Sequence, residues 1–281
     1  MAASIETFRG RQLRRELLRL REEIGLSMEE AAARLDWSKA KISRIETGRT
    51  RVTPGDVRLM LEEYGIADDQ KRQALITLAR EARKPAWWHK YSDVIVSPYV
   101  GFEAEASAVR TYQAQVIPGL LQTRGYIKAL LSSVRPALPD SEIDRRMEAR
   151  MARQARLTGD DALHLWAVID ETVLHRLVGG RAVMNEQLDR LREVARLPNV
   201  TLQVLPFEAG PHSAMGVPFV ILDFAGPMPV SGVYLEHLTG ELYLEDESDI
   251  SGYNHAFDHL RAKAPDPERV IVLIDEIAAR L

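Results

Sequence analysis

The strongest constraint on this chain is the punctuation of residues 10–66, where helix starts and helix stops alternate so closely that only short helices fit between them. Gly25, Gly48 and Gly65 each follow an amphipathic stretch, at the position just past a helix end where glycine takes a left-handed backbone without a Cβ clash. Ser27 and Glu30 have the spacing of a capping box, in which each side chain satisfies a backbone N–H at a helix start. Ser38 is a good N-cap. Thr53 caps a further helix, with Pro54 at the first position, where the missing N–H costs nothing. Between these marks apolar residues recur at three- and four-residue steps. Leu13, Leu17, Leu20 and Ile24 make one inward face. Ala31, Ala32 and Leu35, then Ile42 and Ile45, then Val57, Met60, Leu61 and Tyr64, then Leu75, Leu78, Ala79 and Ala82 make four more. The first of the five expected helices covers 10–24, the third 38–47 and the fifth 69–83.

The second and third helices are joined by a tight turn at Asp36-Trp37, which makes the pair a helix-turn-helix. Charge singles out the same place. The whole chain is acidic, at −4, but residues 1–84 hold 18 Lys/Arg against 14 Asp/Glu and the remainder 19 against 27, so the two parts carry +4 and −8. From Ser38 to Arg51 there are five basic residues (Lys39, Lys41, Arg44, Arg49, Arg51) and one acid, Glu46. A short basic helix laid in the major groove of double-stranded DNA brings its first residues to base edges. Lys39 and Arg44 are the expected base-edge contacts, because arginine bonds guanine O6 and N7 together, and Ala40 suits a thymine methyl. Ser27, Lys41, Ser43, Arg49 and Arg51 are expected on phosphates, which set register without reading sequence. The N-terminus of the second helix offers further N–H groups to a phosphate. Ala31 is expected in the core. For Met28, base contact and core packing both stay open.

The stretch GLSMEEAAARLDWSKAKISRIETGRTRVTPGDVRLMLEEYG resembles the Xre/lambdoid phage repressor family, most specifically through ISRIETGR at 42–49. The resemblance covers about residues 10–66 and implies sequence-specific DNA binding. Many members have glutamine at the start of each helix of the pair, where this chain has Met28 and Lys39, so a glutamine–adenine contact does not carry over. The turn position that is often glycine is Asp36, a residue that tolerates the left-handed region better than most.

Residues 85–102 form an aromatic-rich connector holding Trp87, Trp88, Tyr91, Tyr99 and Phe102, with Pro85 and Pro98 stopping helices. Adjacent tryptophans argue for order, packed on the second domain or on a partner. Trp87 and Trp88, with His212 in the Gly/Pro-rich loop 208–219, are the candidate ligand or partner residues. The third segment, 103–281, reads as an α+β domain of four to five strands. Helices are expected over EAEASAVRTYQAQ, TRGYIKALLSSV, DSEIDRRMEARMARQARL (capped at Asp140 or Ser141), TVLHRLVGG, VMNEQLDRLREVARLP, 247–264 and 267–281. LHLWAVID, VTLQVLPF, PFVILDF, VSGVYLEHL and GELYLE read as strands. Six arginines on or near one of these helices (135, 145, 146, 150, 153 and 156) are expected to be solvated or paired with acids.

Asp170, Glu171 and His175, and Glu236 with His237, are acid–histidine groupings, but no H-E-x-x-H, G-x-S-x-G, phosphate-binding or dinucleotide-binding glycine motif accompanies them. No metal, cofactor or enzymatic activity is expected. The chain has no cysteine, which excludes disulfides and thiolate chemistry. It has no run approaching the ~18 apolar residues of a membrane helix, and MAASIETFRGRQLRRELL does not read as a secretory signal. A cytoplasmic, nucleoid-associated protein is expected. VIPGLLQT, VIDETVLHRLVGG, QLDRL, VTLQVLPFEAG and VYLEHLTGELYLE are similar to the C-terminal domain of unknown function in a group of actinobacterial regulators that carry it behind an Xre head. Members are often described as antitoxin-like and are commonly encoded beside a small partner protein. The combined expectation is a dimeric regulator on a palindromic operator, with a ligand- or partner-sensing C-terminal domain. The alternatives are an antitoxin-like autoregulator that mainly holds a small protein and, third, an enzyme fused to a DNA-binding head.

Overall fold

The computed structural model describes residues 7–84, 86–95, 97–134, 137–226 and 228–281. Pro85 and Arg135 lie outside the described residues. The chain divides into two compact units, broken after Glu105, with Gly226 and Met228 counted in the first.

The first unit is all-helical. α1 (Phe8–Glu23), α2 (Met28–Arg34), α3 (Lys39–Glu46), α4 (Pro54–Glu63) and α5 (Asp69–Glu81) follow the expected order. Ser27 and Thr53 form capping boxes with Glu30 and Asp56, and Ser38 caps α3. The expected inward faces close one core from Leu13, Leu17, Leu20, Ala31, Leu35, Ile42, Val57, Met60, Leu61 and Leu75. Ile24 departs from its expected place. It sits at the C-cap of α1, past the last full turn, and is 41% exposed. The connector is counted within the first unit, up to Glu105. Phe102, on α6 (Tyr99–Glu105), meets Phe8 edge-on at 5.9 Å between ring centres, and Glu105 accepts the backbone N–H of Arg9 at 3.0 Å. That carboxylate satisfies one of the orphan donors of the first turn of α1, and burial raises its pKa to about 6.

The second unit is an α+β domain around a six-stranded mixed sheet of order β3-β2-β1-β4-β5-β6. The strands are β1 (Ala108–Gln113), β2 (His164–Asp170), β3 (Val200–Leu205), β4 (Phe219–Phe224), β5 (Val230–His237) and β6 (Gly240–Leu244). β1, β2 and β3 run parallel, and β4, β5 and β6 continue as an antiparallel meander from β1. Parallel neighbours need long crossovers. α7 (Arg124–Ser132) and α8 (Asp140–Arg153) lie between β1 and β2, and α9 (Thr172–His175) and α10 (Arg181–Val194) between β2 and β3. α11 (Glu247–Lys263) lays Phe257 and Leu260 into a core with Tyr112, Val168, Phe219, Ile221 and Val233, and α12 (Val270–Ala278) packs on α10.

Three expectations are corrected here. The segment EAEASAVRTYQAQ is not one helix, because α6 stops at Glu105 and the remainder is the central strand β1, which brings the strand count to six. The segment TVLHRLVGG holds a single helical turn, since Arg176 is already extended. Neither Asp140 nor Ser141 caps α8, whose N-cap is Pro139 with no side-chain bond.

Candidate nucleic-acid interface

α3 is divided lengthwise. Ile42, Ile45 and Glu46 are buried, Lys41 and Ser43 are partly covered, and Lys39, Ala40 and Arg44 are exposed, as are Arg49 and Arg51 beyond its end. Two features set its angle to α2. The first is the turn. Asp36 has φ of +52°, among the described residues the one non-glycine with positive φ. Its N–H donates to Ala33 O at 3.4 Å and that of Trp37 to Ala32 O at 2.8 Å, the paired bonds of a Schellman stop. α1 and α4 end with the same bond pattern, but with Gly25 and Gly65 in the left-handed position. Asp36 therefore performs the glycine's task, as expected from its short polar side chain.

The second feature is a buried ion pair that sequence reasoning did not identify. Arg21 near the end of α1 reaches Glu46 at the end of α3 with two bonds, Nε to Oε1 at 2.6 Å and Nη2 to Oε2 at 3.0 Å. Its third arm donates to Leu26 O at 2.6 Å, and Arg14 donates to Glu46 O at 3.2 Å. The two side chains are 9% and 7% exposed. The one acid of the Ser38–Arg51 segment is thus turned inward and neutralised, which leaves the outer face of α3 without a negative charge of its own. The same carboxylate, second to burial, pushes the Tyr64 hydroxyl up to about 12.

The expected contact residues differ in how free they are. Arg44 and Arg49 make no side-chain ion pair or hydrogen bond among the described residues. Lys39 forms an ion pair with Glu29 on α2, both side chains more than half exposed. Lys41 is engaged twice. Its Nζ lies 2.8 Å from Asp56 Oδ1 and 3.3 Å from the centre of the Trp37 ring, so it ties α3 to the first turn of α4. Burial opposes ionisation of Asp56, but Lys41 and the Thr53 cap together hold its pKa below the usual carboxylate value. The Ser27 hydroxyl is committed to Glu30, donating to Oε2 at 2.8 Å and accepting from its N–H at 3.2 Å. The start of α2, expected to offer N–H groups to a phosphate, already holds Glu30 across its Ser27 N–H at 2.8 Å. Met28 is partly buried against the head core, which favours the packing reading.

In the connector, Trp87 and Trp88 are edge-to-face at 6.1 Å, and Trp88 is 3% exposed. Trp87 is half-buried, and the crossed rings do not present the parallel faces of an aromatic cage. His212 lies in the second unit. Its Nδ1 accepts the Ala214 N–H at 3.2 Å, which leaves Nε2 as the donor to Tyr112 Oη at 3.2 Å. Asp170 lies near the Tyr112 hydroxyl and, after burial, helps to raise its pKa. This relay pins loop 208–219 over the carboxyl ends of β1 and β2. Asp170 also caps Thr172, with its N–H at 2.9 Å. Glu171 accepts from Phe207 N at 3.0 Å and meets His175 Nε2 at 3.1 Å, while Thr239 donates to His237 Nδ1 at 3.4 Å. Asp170, Glu171, His175 and His237 thus each have a local structural partner, and among the described residues no three metal-ligating side chains cluster. No helix among them is long and apolar enough to cross a membrane.

A family model for a helix-turn-helix domain matches residues 12–75. A second, for the domain of unknown function DUF5753, matches residues 96–276. No curated protein and no solved structure matches the chain. The second match spans more than half of the sequence, and the chain belongs to the DUF5753 family, with a helix-turn-helix domain ahead of that region.

Proposed function

We propose that the protein is a sequence-specific, DNA-binding transcriptional regulator of the Xre type that sets α3 in the major groove. The observation that carries this reading is the division of α3, with its isoleucines and its one acid inside and Lys39, Ala40 and Arg44 outside. Arg44 is the foremost base-edge residue, since its guanidinium has no partner to leave. Lys39 joins it by releasing Glu29, an exposed pair worth at most about 1 kcal/mol. Ala40 meets a thymine methyl. Arg49, Arg51 and Ser43 hold phosphates. Lys41 and Ser27 contribute less than their sequence positions imply, because Asp56 and Glu30 already engage them. The working form is a dimer on a palindromic operator, with half-sites one turn of DNA, about 34–36 Å, apart. It acts in the cytoplasm, and the second unit receives a signal without catalysing a reaction.

The test is binding of the full chain to a DNA site selected from random sequence. Arg44→Ala lowers discrimination at one base pair by about 1–3 kcal/mol, roughly 5- to 150-fold. Arg49→Ala weakens all sequences alike and reduces the salt slope by about one. Full selectivity in the Arg44→Ala protein would remove the base-contact assignment.

A further inference from the structure

The sheet of the second unit ends differently at its two edges. β3 is buried along almost its whole length, with α11 and α12 packed on it. At the other edge β6 pairs, among the described strands, with β5 alone, and Gly240, Glu241 and Leu242 are exposed. An edge strand presents a row of N–H and C=O groups, and proteins commonly guard it with lysine, proline or a bulge. The strand GELYL holds neither lysine nor proline, and its register with β5 runs without a bulge. Leu242 on this strand is 48% exposed, and Leu238 at the turn leading into it is wholly exposed.

The directions of the backbone groups follow from the turn. Only Leu238 and Thr239 separate β5 from β6, so His237 and Gly240 are a hydrogen-bonded pair, and such pairs alternate along an antiparallel ladder. Leu242 and Leu244 therefore bond inward, to Leu235 and Val233 of β5, while Glu241 and Tyr243 aim their N–H and C=O groups outward along the open edge. The side chains divide between the two faces of the sheet. Glu241 and Tyr243 share one face with Tyr234, whose hydroxyl donates to Glu241 Oε2 at 2.9 Å, and Tyr243 lies over Gly232, which has no side chain to obstruct it. Leu242 and Leu244 share the other face with Leu235 and Val233, beside the core under α11.

We propose that β6 is the seam of the dimer, pairing antiparallel with β6 of a second copy about a two-fold axis through Leu242, so that two six-stranded sheets join edge to edge. A strand laid antiparallel on its own copy is two-fold symmetric, as an isologous interface must be. The axis can fall on Glu241, on Leu242 or on Tyr243, since only these centres match outward groups with outward groups around the middle of the strand. Centred on Glu241, the seam sets that carboxylate against its own copy. Centred on Tyr243, it sets Glu241 against Glu245. Like charges directly opposite destabilise a ladder. Centred on Leu242, it sets Glu241 against Tyr243 of the second copy, twice, and brings Leu242 against Leu242 in the closely approaching, non-hydrogen-bonded type of pair. Both contacts repeat ones that β5 and β6 already make, Tyr234 with Glu241 and Leu235 opposite Leu242. That self-match selects a second copy over a foreign strand. The proposal rests on the preceding reading for the existence of a dimer and adds where its halves meet.

The experiment is sedimentation velocity of the full chain over a range of concentrations. The natural chain sediments as a dimer. Leu242→Lys sets two ammonium groups across the axis and raises the dissociation constant about a hundredfold or more, and Leu242→Glu does the same with two carboxylates. An equimolar mixture of the two variants returns to a dimer containing one of each, which requires position 242 to face itself. Leu242→Cys carries the test should either charged variant fail to fold. The chain has no cysteine of its own, and opposite Cα atoms about 4.5 Å apart lie within disulfide reach, so mild oxidation links two copies. Thr239→Cys, whose copies stand about 20 Å apart in this register, stays unlinked. A natural chain that sediments as a monomer overturns the seam and the dimer together. A dimer that persists in Leu242→Lys, a mixture that fails to reassociate, or equal linking through Thr239→Cys overturns the seam and leaves the dimer reading standing.

Discussion

The two units each commit an arginine to a bidentate carboxylate pair, and the pairs differ in range and in depth. In the head, Arg21 and Glu46 join two helices across 25 residues and are 9% and 7% exposed. In the sheet unit, Arg110 on β1 grips Asp223 on β4 at 3.0 and 2.9 Å across 113 residues, with Asn254 of α11 at 2.7 Å on its remaining arm, and the side chains are 26% and 28% exposed. The head pair locks the helix that carries the candidate interface. The sheet pair pins a strand register. The same chemistry is thus a positional brace where water is excluded and a register mark where water still reaches it.

The largest expected effect tests that contrast directly. Glu46→Ala strands the Arg21 charge in the core and costs about 3–5 kcal/mol, read from urea unfolding of the full chain. Asp223→Ala should cost only about 1–2 kcal/mol, since solvent screens its partner and Asn254 still holds one arm. Equal losses from the two would erase the distinction between brace and register mark. The turn gives a smaller effect of opposite sign. Asp36→Gly relieves a left-handed L-residue and stabilises by about 0.5–1 kcal/mol, part of the gain being offset by glycine's freedom in the unfolded chain.

The smallest effect concerns pH in the sheet unit. Burial foremost, with help from Lys263 and His259 and against Asp170, lowers the His212 pKa from its ordinary 6.5. The unfolded chain therefore binds the proton first. The stability drawn from the relay is complete above about pH 6.5 and is lost as pH falls through the lower folded value. Protection factors of amides in loop 208–219, which remove the intrinsic pH dependence of exchange, should fall over that window and stay constant in His212→Gln. An equal fall in both proteins would assign the pH response elsewhere.

The same contrast of range explains what could be read from residues alone. Ser27 with Glu30, Thr53 with Asp56, and the glycine stops act within three or four positions, so the head's helices were legible almost to their ends. The outward basic face of α3 was legible for the same reason. Glu46 was not, because the residue that turns it inward stands 25 positions earlier. Lys41 likewise looked free until α4 brought Asp56 beside it, 15 positions on. β1 reads as helix in sequence because AVRTYQ takes its meaning from β2 and β4, and its charged Arg110 looks solvated until Asp223 is in place. The buried Gln122, Gln154 and Gln187 carry no signal in sequence, since each is distinctive only through the backbone of residues 117–123 that it holds.

The central place of β1 also has a consequence for synthesis. Its β2 side can close once residue 164 is made, but its β4 side pairs Ala108 with Asp223, 223 − 108 = 115 residues later. At ribosomal speeds that wait is on the order of 10 s. During it the head, whose contacts are local, has time to fold, while one edge of β1 offers its unpaired N–H and C=O groups to any strand that arrives. On a message carrying several ribosomes, the nearest such strands belong to neighbouring copies of the same nascent chain.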